Sequence, residues 1–233
     1  YPIRQVGKWG RFKDRLPTDT EMSAWFANHP DGLCIVCGET SGNLEVLDFD
    51  ACGEKFPAWE EAIPRELFER LVIEQTPSGG FHVLYRCEES ICGSLKLAMR
   101  KQPVAETDIY LDEKDREMTR VYGKEFQVMR NEDGSAYVNV TLIETKGKGG
   151  VIMCAPTPGY ELIQGDICDL PVLTSADRAI LLQTAFDLDE CPKDNADNGD
   201  GGQDNADNRP WSADNAHNRD YGADNAHMPG SDY

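Results

Sequence analysis

The sequence predicts an α+β fold built around a largely antiparallel sheet. Three observations carry that expectation. Strand-like apolar runs outnumber helical ones and do not alternate regularly with helices, as a parallel sheet would require. Glycine, serine and asparagine turns separate neighbouring runs. The first and last helical segments each begin at a threonine suited to capping. Residues 18–28 read as a helix with a capping box, Thr18 with Glu21 three positions on, and with Met22, Trp25 and Phe26 on one face. Residues 33–36 and 44–49 read as strands joined by the turn Ser41-Gly42-Asn43. A helical stretch over 58–71 is broken at Pro64, which removes a backbone donor. Residues 72–75 and 81–85 form a second strand pair around Thr76-Pro77-Ser78-Gly79-Gly80, and further strands are expected at 108–111, 120–122, 126–129, 137–143 and 151–154. The last helix starts at Thr174 and ends near Leu188.

With 233 residues and 39% hydrophobic composition, the chain can build one good core plus an extension. The expected division is a folded domain over 1–190 and a tail over 191–233. In the tail Asp-Asn-Ala recurs at Asp194, Asp204, Asp214 and Asp224, a ten-residue repeat too poor in apolar side chains to fold. Its acids fall three apart rather than two, and no Glu follows Glu190, so a calcium loop does not fit. The net charge is −19; the tail, with nine Asp against one Lys and two Arg, holds −6 of it. Binding to a polyanion would therefore depend on local basic clusters. Candidates are Lys8, Arg11, Lys13 and Arg15, then Lys96, Arg100 and Lys101, then Lys146 and Lys148.

Eight scattered cysteines, with no secretory signal and no apolar stretch near the ~18 residues of a membrane span, point to a reducing cytoplasm. Cys34 and Cys37 lie three apart in an apolar strand and so face opposite ways; core packing accounts for them better than zinc, and no zinc is expected. The chain begins at Tyr1 without Met, as a fragment or processed chain would.

Three segments carry chemistry. In Leu47-Asp48-Phe49-Asp50 the aspartates are two apart at a strand end, so both project to one side and offer oxygen ligands to a hard cation. In Thr76-Pro77-Ser78-Gly79-Gly80-Phe81-His82 a glycine turn exposes backbone N–H groups to phosphate oxygens, and His82 follows just beyond. Glu144-Thr145-Lys146-Gly147-Lys148-Gly149-Gly150 adds a third carboxylate beside two lysines. Carboxylates, two divalent metals and a phosphate cradle together describe nucleotidyl transfer. No Gly-x-x-x-x-Gly-Lys-Ser/Thr occurs, so the chain carries no P-loop helicase.

The order of these segments resembles the primase-polymerase domain of the archaeo-eukaryotic primase superfamily, found in phage and plasmid replication proteins. The similarity spans roughly residues 1 to 190. It includes Trp9 to Phe12, Leu95-Lys96-Leu97-Ala98, Gly149-Gly150-Val151 to Ala155-Pro156 with Tyr160, and Leu170-Pro171-Val172-Leu173-Thr174. The resemblance implies a two-lobed primase-polymerase fold with an RNA-recognition-motif-like catalytic sheet. It makes Asp48, Asp50 and Glu144 the metal-binding catalytic acids for two Mg²⁺ or Mn²⁺ ions. It places the nucleotide at Ser78, Gly79, Gly80, His82 and Lys146, the last standing where the family often has Arg. Lys96, Arg100 and Lys148 are looser candidates for nucleic acid. The implied partners are a single-stranded DNA template, NTP or dNTP, and a replicative helicase, separate or in a further C-terminal part, with no membrane. Two rival readings keep the same residues: a binding module that lost its chemistry, and a metal-dependent phosphodiesterase or nuclease. The second fits less well, because such sites commonly add His ligands and the body holds only His29 and His82.

Overall fold

The structure, a computed structural model, describes residues 9–27 and 31–191. The Asp-Asn-Ala repeat, Lys8, Asn28 and His29 lie outside the described residues. In chain order the elements are α1 (Asp19–Phe26), β1 (Leu33–Val36), β2 (Leu44–Phe49), α2 (Phe56–Ala62), α3 (Arg65–Phe68), β3 (Val72–Gln75), β4 (Phe81–Cys87), β5 (Lys96–Pro103), β6 (Tyr110–Leu111), β7 (Glu117–Val121), β8 (Lys124–Gln127), β9 (Met129–Arg130), β10 (Ala136–Lys146), β11 (Val151–Cys154), β12 (Glu161–Gln164), β13 (Val172–Leu173) and α4 (Ser175–Asp187). The result is an α+β fold whose sheets are mostly antiparallel.

Alternation of buried and more exposed residues runs longest in β10, and this strand is the spine of the central sheet. The sheet order is β12-β3-β4-β2-β10-β5; β9 also pairs with β10, and β13 adds to β4 as a parallel strand. On one face Phe49 meets Phe56 and Trp59 edge-on, at 5.3 and 5.1 Å between ring centroids, while Phe56 stacks on Phe81 at 4.2 Å. Each such side chain buried contributes about 1.5–3 kcal/mol. Trp59 Nε1 donates to Leu181 O (3.1 Å), which ties α2 to α4. Glu45 is fully buried on this face. It accepts from Arg178 Nε (2.6 Å) and Nη2 (2.8 Å) and from Tyr85 Oη (2.9 Å), so its charge is paired and its oxygens are satisfied. Thr174 caps α4 by accepting from Asp177 N (3.1 Å).

The opposite face is half covered. β1 and β11 form a two-stranded ribbon, and Cys37, Ile152 and Cys154 pack with Leu44, Val46, Val72 and Leu84 of the sheet. α1 keeps its expected capping box and buries Trp25 against Phe12 (4.9 Å, edge-on), but leaves Met22 exposed. Beyond the ribbon, the same face of the sheet carries the polar residues described below.

The expected pairing of residues 33–36 with 44–49 through Ser41-Gly42-Asn43 is not what forms. β1 pairs with β11, and β2 with β4 and β10. Gly38, at φ 99°, turns the chain from one layer to the other, a conformation side chains resist. Residues 106–108 form a short 3₁₀ turn rather than the start of a strand. β5 and β12 were not anticipated: Lys96, Arg100 and Lys101 hide the alternation of β5, and β12 is exposed along most of its length. The remaining small sheet, β6-β7-β8, turns tightly between β7 and β8 at Tyr122-Gly123. Both turn residues are left-handed (φ 49° and 75°), the geometry that matches strand twist in two-residue hairpins.

Candidate active site

Strand register builds the site. Glu74 of β3 lies opposite His82 of β4, His82 opposite Asp48 of β2, Asp48 opposite Glu144 of β10, and Glu144 opposite Lys96 of β5. Directly paired residues share a sheet face, so Glu74, His82, Asp48 and Glu144 cross the sheet in one row, and Lys96 follows at its end across a β-bulge between β10 and β5. Asp50 joins the row although β2 ends at Phe49. Its N–H donates to Leu142 O (3.0 Å), which keeps the backbone against β10 for one more residue and leaves its carboxylate on the side of Asp48. Immediately afterwards Ala51 and Cys52 take left-handed φ values of 51° and 57°, and the chain turns away. This backbone conformation costs on the order of 1–2 kcal/mol per residue.

Carboxylate oxygens of Asp48, Asp50 and Glu144 all lie within 4.8 Å of one another, and none of the three residues is fully buried. A donor set of carboxylate oxygens alone suits hard divalent cations such as Mg²⁺ and Mn²⁺. The residues present therefore fit the divalent metal that the sequence implied. Two lysines already balance part of the charge. Lys146 Nζ hydrogen-bonds Glu144 Oε1 and lies 3.6 Å from Asp48 Oδ2, and Lys124 Nζ lies 2.5 Å from Asp50 Oδ1. Burial pushes the Asp48 carboxyl above its usual range; His82 opposes the shift, Asp50 adds to it, and Lys146 and Glu144 act in opposite directions behind them. For Lys146 burial works against the ammonium, but Glu144 and Asp48 outweigh it and hold the pKa above the ordinary value.

His82 is buried and held from both sides. Its Nδ1 lies 2.7 Å from Glu74 Oε1 and its Nε2 lies 3.6 Å from Asp48 Oδ1. Glu74 is itself fully buried, and its Oε2 accepts from Ala155 N (2.9 Å). The Tyr160 ring lies 5.9 Å from the imidazole, and burial, with Glu74 and Asp48 nearby, pushes its hydroxyl up to about 12.

The turn before His82 is closed on itself: Gly79 N donates to Thr76 O (2.9 Å), Thr76 N to Gly80 O (2.9 Å), and the hydroxyls of Thr76 and Ser78 lie 3.1 Å apart. Gly80 is required by packing, since a Cβ there would stand 2.3 Å from Phe49 O. The turn thus sits directly against the strand that carries Asp48 and Asp50.

The other candidate cations are mostly engaged by acids. Arg100 bonds Glu190 (Nε to Oε2, 2.5 Å) and Glu54; Lys148 lies 3.2 Å from Glu39; Arg15 binds Glu21 through two nitrogens. Lys96 is exposed at the end of the polar row. Sequence reading missed Glu74 and Lys124. Glu74 could have been found by counting back from the 76–80 turn to the position opposite His82. Lys124 had no such signal, because it reaches Asp50 from another sheet.

Comparison with curated proteins gives no significant match. The sequence profile for "bifunctional DNA primase/polymerase, N-terminal" matches residues 2–173, a span that contains the whole polar row together with Asp50, Lys124 and Lys146, and the chain belongs to that family.

Proposed function

We propose that this domain is a DNA-templated nucleotidyltransferase, a primase, a polymerase or both, acting in the replication of a phage or other mobile element. The observation that carries the reading is the convergence of Asp48, Asp50 and Glu144 on one sheet face in a chain of this family. Two divalent cations held by these acids would acidify the primer 3′-hydroxyl and neutralise charge on the α-phosphate and the leaving pyrophosphate. The 3′-oxygen forms a bond to the α-phosphorus, the bond to the pyrophosphate oxygen breaks, and the hydroxyl proton passes to solvent.

The protein's own part is to position and to balance charge. His82, braced by Glu74, is the candidate contact to the triphosphate, beside the Ser78-Gly79-Gly80 turn. Lys146 supplies positive charge beside Asp48 and Glu144. Lys96, exposed at the end of the row, is a candidate contact for a single-stranded template. The helix-backed central sheet is the part that would correspond to an RNA-recognition-motif-like lobe, and a replicative helicase is the expected partner.

Incubation with a primed single-stranded template, each nucleotide type and Mn²⁺ tests the reading. Primer extension that disappears in Asp48→Asn and Glu144→Gln is the expected result. Degradation of the template in place of extension would make the site a nuclease, and no turnover together with no Mn²⁺ binding would make it a non-catalytic module.

A further inference from the structure

Two lysines bracket the acids, and they come from different layers. Lys146 belongs to β10 and is packed down beside Glu144 and Asp48. Lys124 comes from outside the central sheet, on the first residue of β8, and its side chain is 55% exposed. The hairpin that carries it docks at two points on one segment of the chain. Lys124 Nζ meets Asp50 Oδ1 at 2.5 Å, and Tyr122 Oη donates to Glu54 Oε2 (3.1 Å) while accepting from Arg100 Nη1 (3.1 Å). Tyr122 is also the turn residue at φ 49°, where a tyrosine is disfavoured, so the strained residue of the turn is one of the two that hold it in place.

A divalent cation on the Asp50 carboxylate weakens its hold on the ammonium, because the two positive charges repel. Cation binding at Asp50 therefore loosens a lysine on a flexible four-carbon stem at the edge of the site. The remaining charge defines what that lysine would meet. Three carboxylates offset most of the charge of two divalent cations, and an incoming nucleoside triphosphate brings about four negative charges; further cations are needed beside the metals, and Lys124 and Lys146 flank the place where they are needed.

We propose that Lys124 is a substrate-binding residue that moves from Asp50 to the terminal phosphates of the incoming nucleotide, with the β7–β8 hairpin setting its reach. This rests on the nucleotidyltransferase reading, and the test separates the two. The full chain, Lys124→Ala and Lys124→Arg are titrated with a non-hydrolysable nucleoside triphosphate in Mn²⁺, and with Mn²⁺ alone. Lys124→Ala is expected to weaken the triphosphate analogue by roughly 10-fold or more, as loss of a charge-assisted hydrogen bond does, and Lys124→Arg to restore most of it. Without nucleotide, Lys124→Ala is expected to bind Mn²⁺ about 2- to 5-fold more tightly, the scale of an exposed ion pair that no longer competes. Unchanged analogue affinity overturns the proposal, even where the wild type extends primers. Weaker Mn²⁺ binding in Lys124→Ala also overturns it, because Lys124 would then be supporting the acids rather than competing for one. Lys124-dependent analogue binding in a protein that never extends a primer would uphold Lys124 and refute the nucleotidyltransferase reading.

Discussion

Replacing Asp48 with asparagine is expected to make the metal-free protein more stable while removing its activity. The magnitude follows from the cluster. At separations up to 4.8 Å and an effective dielectric of ~20, each of the two like-charge pairs that Asp48 makes, with Asp50 and with Glu144, costs about 3–4 kcal/mol. Lys146 at 3.6 Å returns about 4–5 kcal/mol on the same scale. The balance is about 2–3 kcal/mol against a charged Asp48, which for a domain of this size corresponds to a rise in Tm of roughly 5–10 °C in the variant. Calorimetric melts at pH 8 with chelator present measure it. The sign with pH is fixed by the raised carboxyl of Asp48. A group whose folded pKa lies above its unfolded value contributes stability below the unfolded value and loses it as pH rises through the folded value. The advantage of asparagine is therefore largest at high pH and shrinks as acidification protonates Asp48 in the wild type. Saturating Mn²⁺ closes the gap, since ligand at a hundred times Kd adds about 2.7 kcal/mol to the wild type, about the size of the variant's advantage. A variant that melts below the wild type in chelator, or that keeps the full Mn²⁺-induced rise, would refute the reasoning.

Glu45→Ala strands Arg178 beneath the sheet and is expected to cost about 3–5 kcal/mol in urea unfolding, with Glu45→Gln between it and the wild type. Thiol labelling of the native protein is expected to reach Cys52 and Cys168 quickly and Cys37, Cys87 and Cys154 only on unfolding; burial pushes those three thiols up to about 12, and the thiolate is the reactive form. Peptide mapping after a short pulse of iodoacetamide checks this, and early label on Cys37 would contradict the packing beneath the β1–β11 ribbon.

Local signals in the sequence were reliable where the cause was local. The Thr18–Glu21 capping box, the Thr174 cap, the break at Pro64 and the β3–β4 hairpin each depend on residues within a few positions of one another. The three acids were legible because a strand places alternate residues on one side and because the family resemblance tied Glu144 to them. What stayed hidden depends on distant partners. Nothing near Leu33 to Val36 says that it pairs with Val151 to Cys154, and nothing near Lys124 points to Asp50. Glu74 looked like an ordinary charged residue in a short strand, and only full burial beside His82 and the Ala155 amide gives it a role.

The cross-strand pairing of Asp48 with Glu144 has a consequence for motion. Two of the three acids are neighbours on two interior strands, the region whose amides open only with global unfolding in most sheets. The spacing of those two acids is thus as durable as the fold itself, and a slip of one residue between β2 and β10 would turn one acid to the other face. The periphery is tied on differently: the β7–β8 hairpin reaches Asp50 through the tip of Lys124 and Glu54 through the tip of Tyr122, contacts that lie outside that ladder.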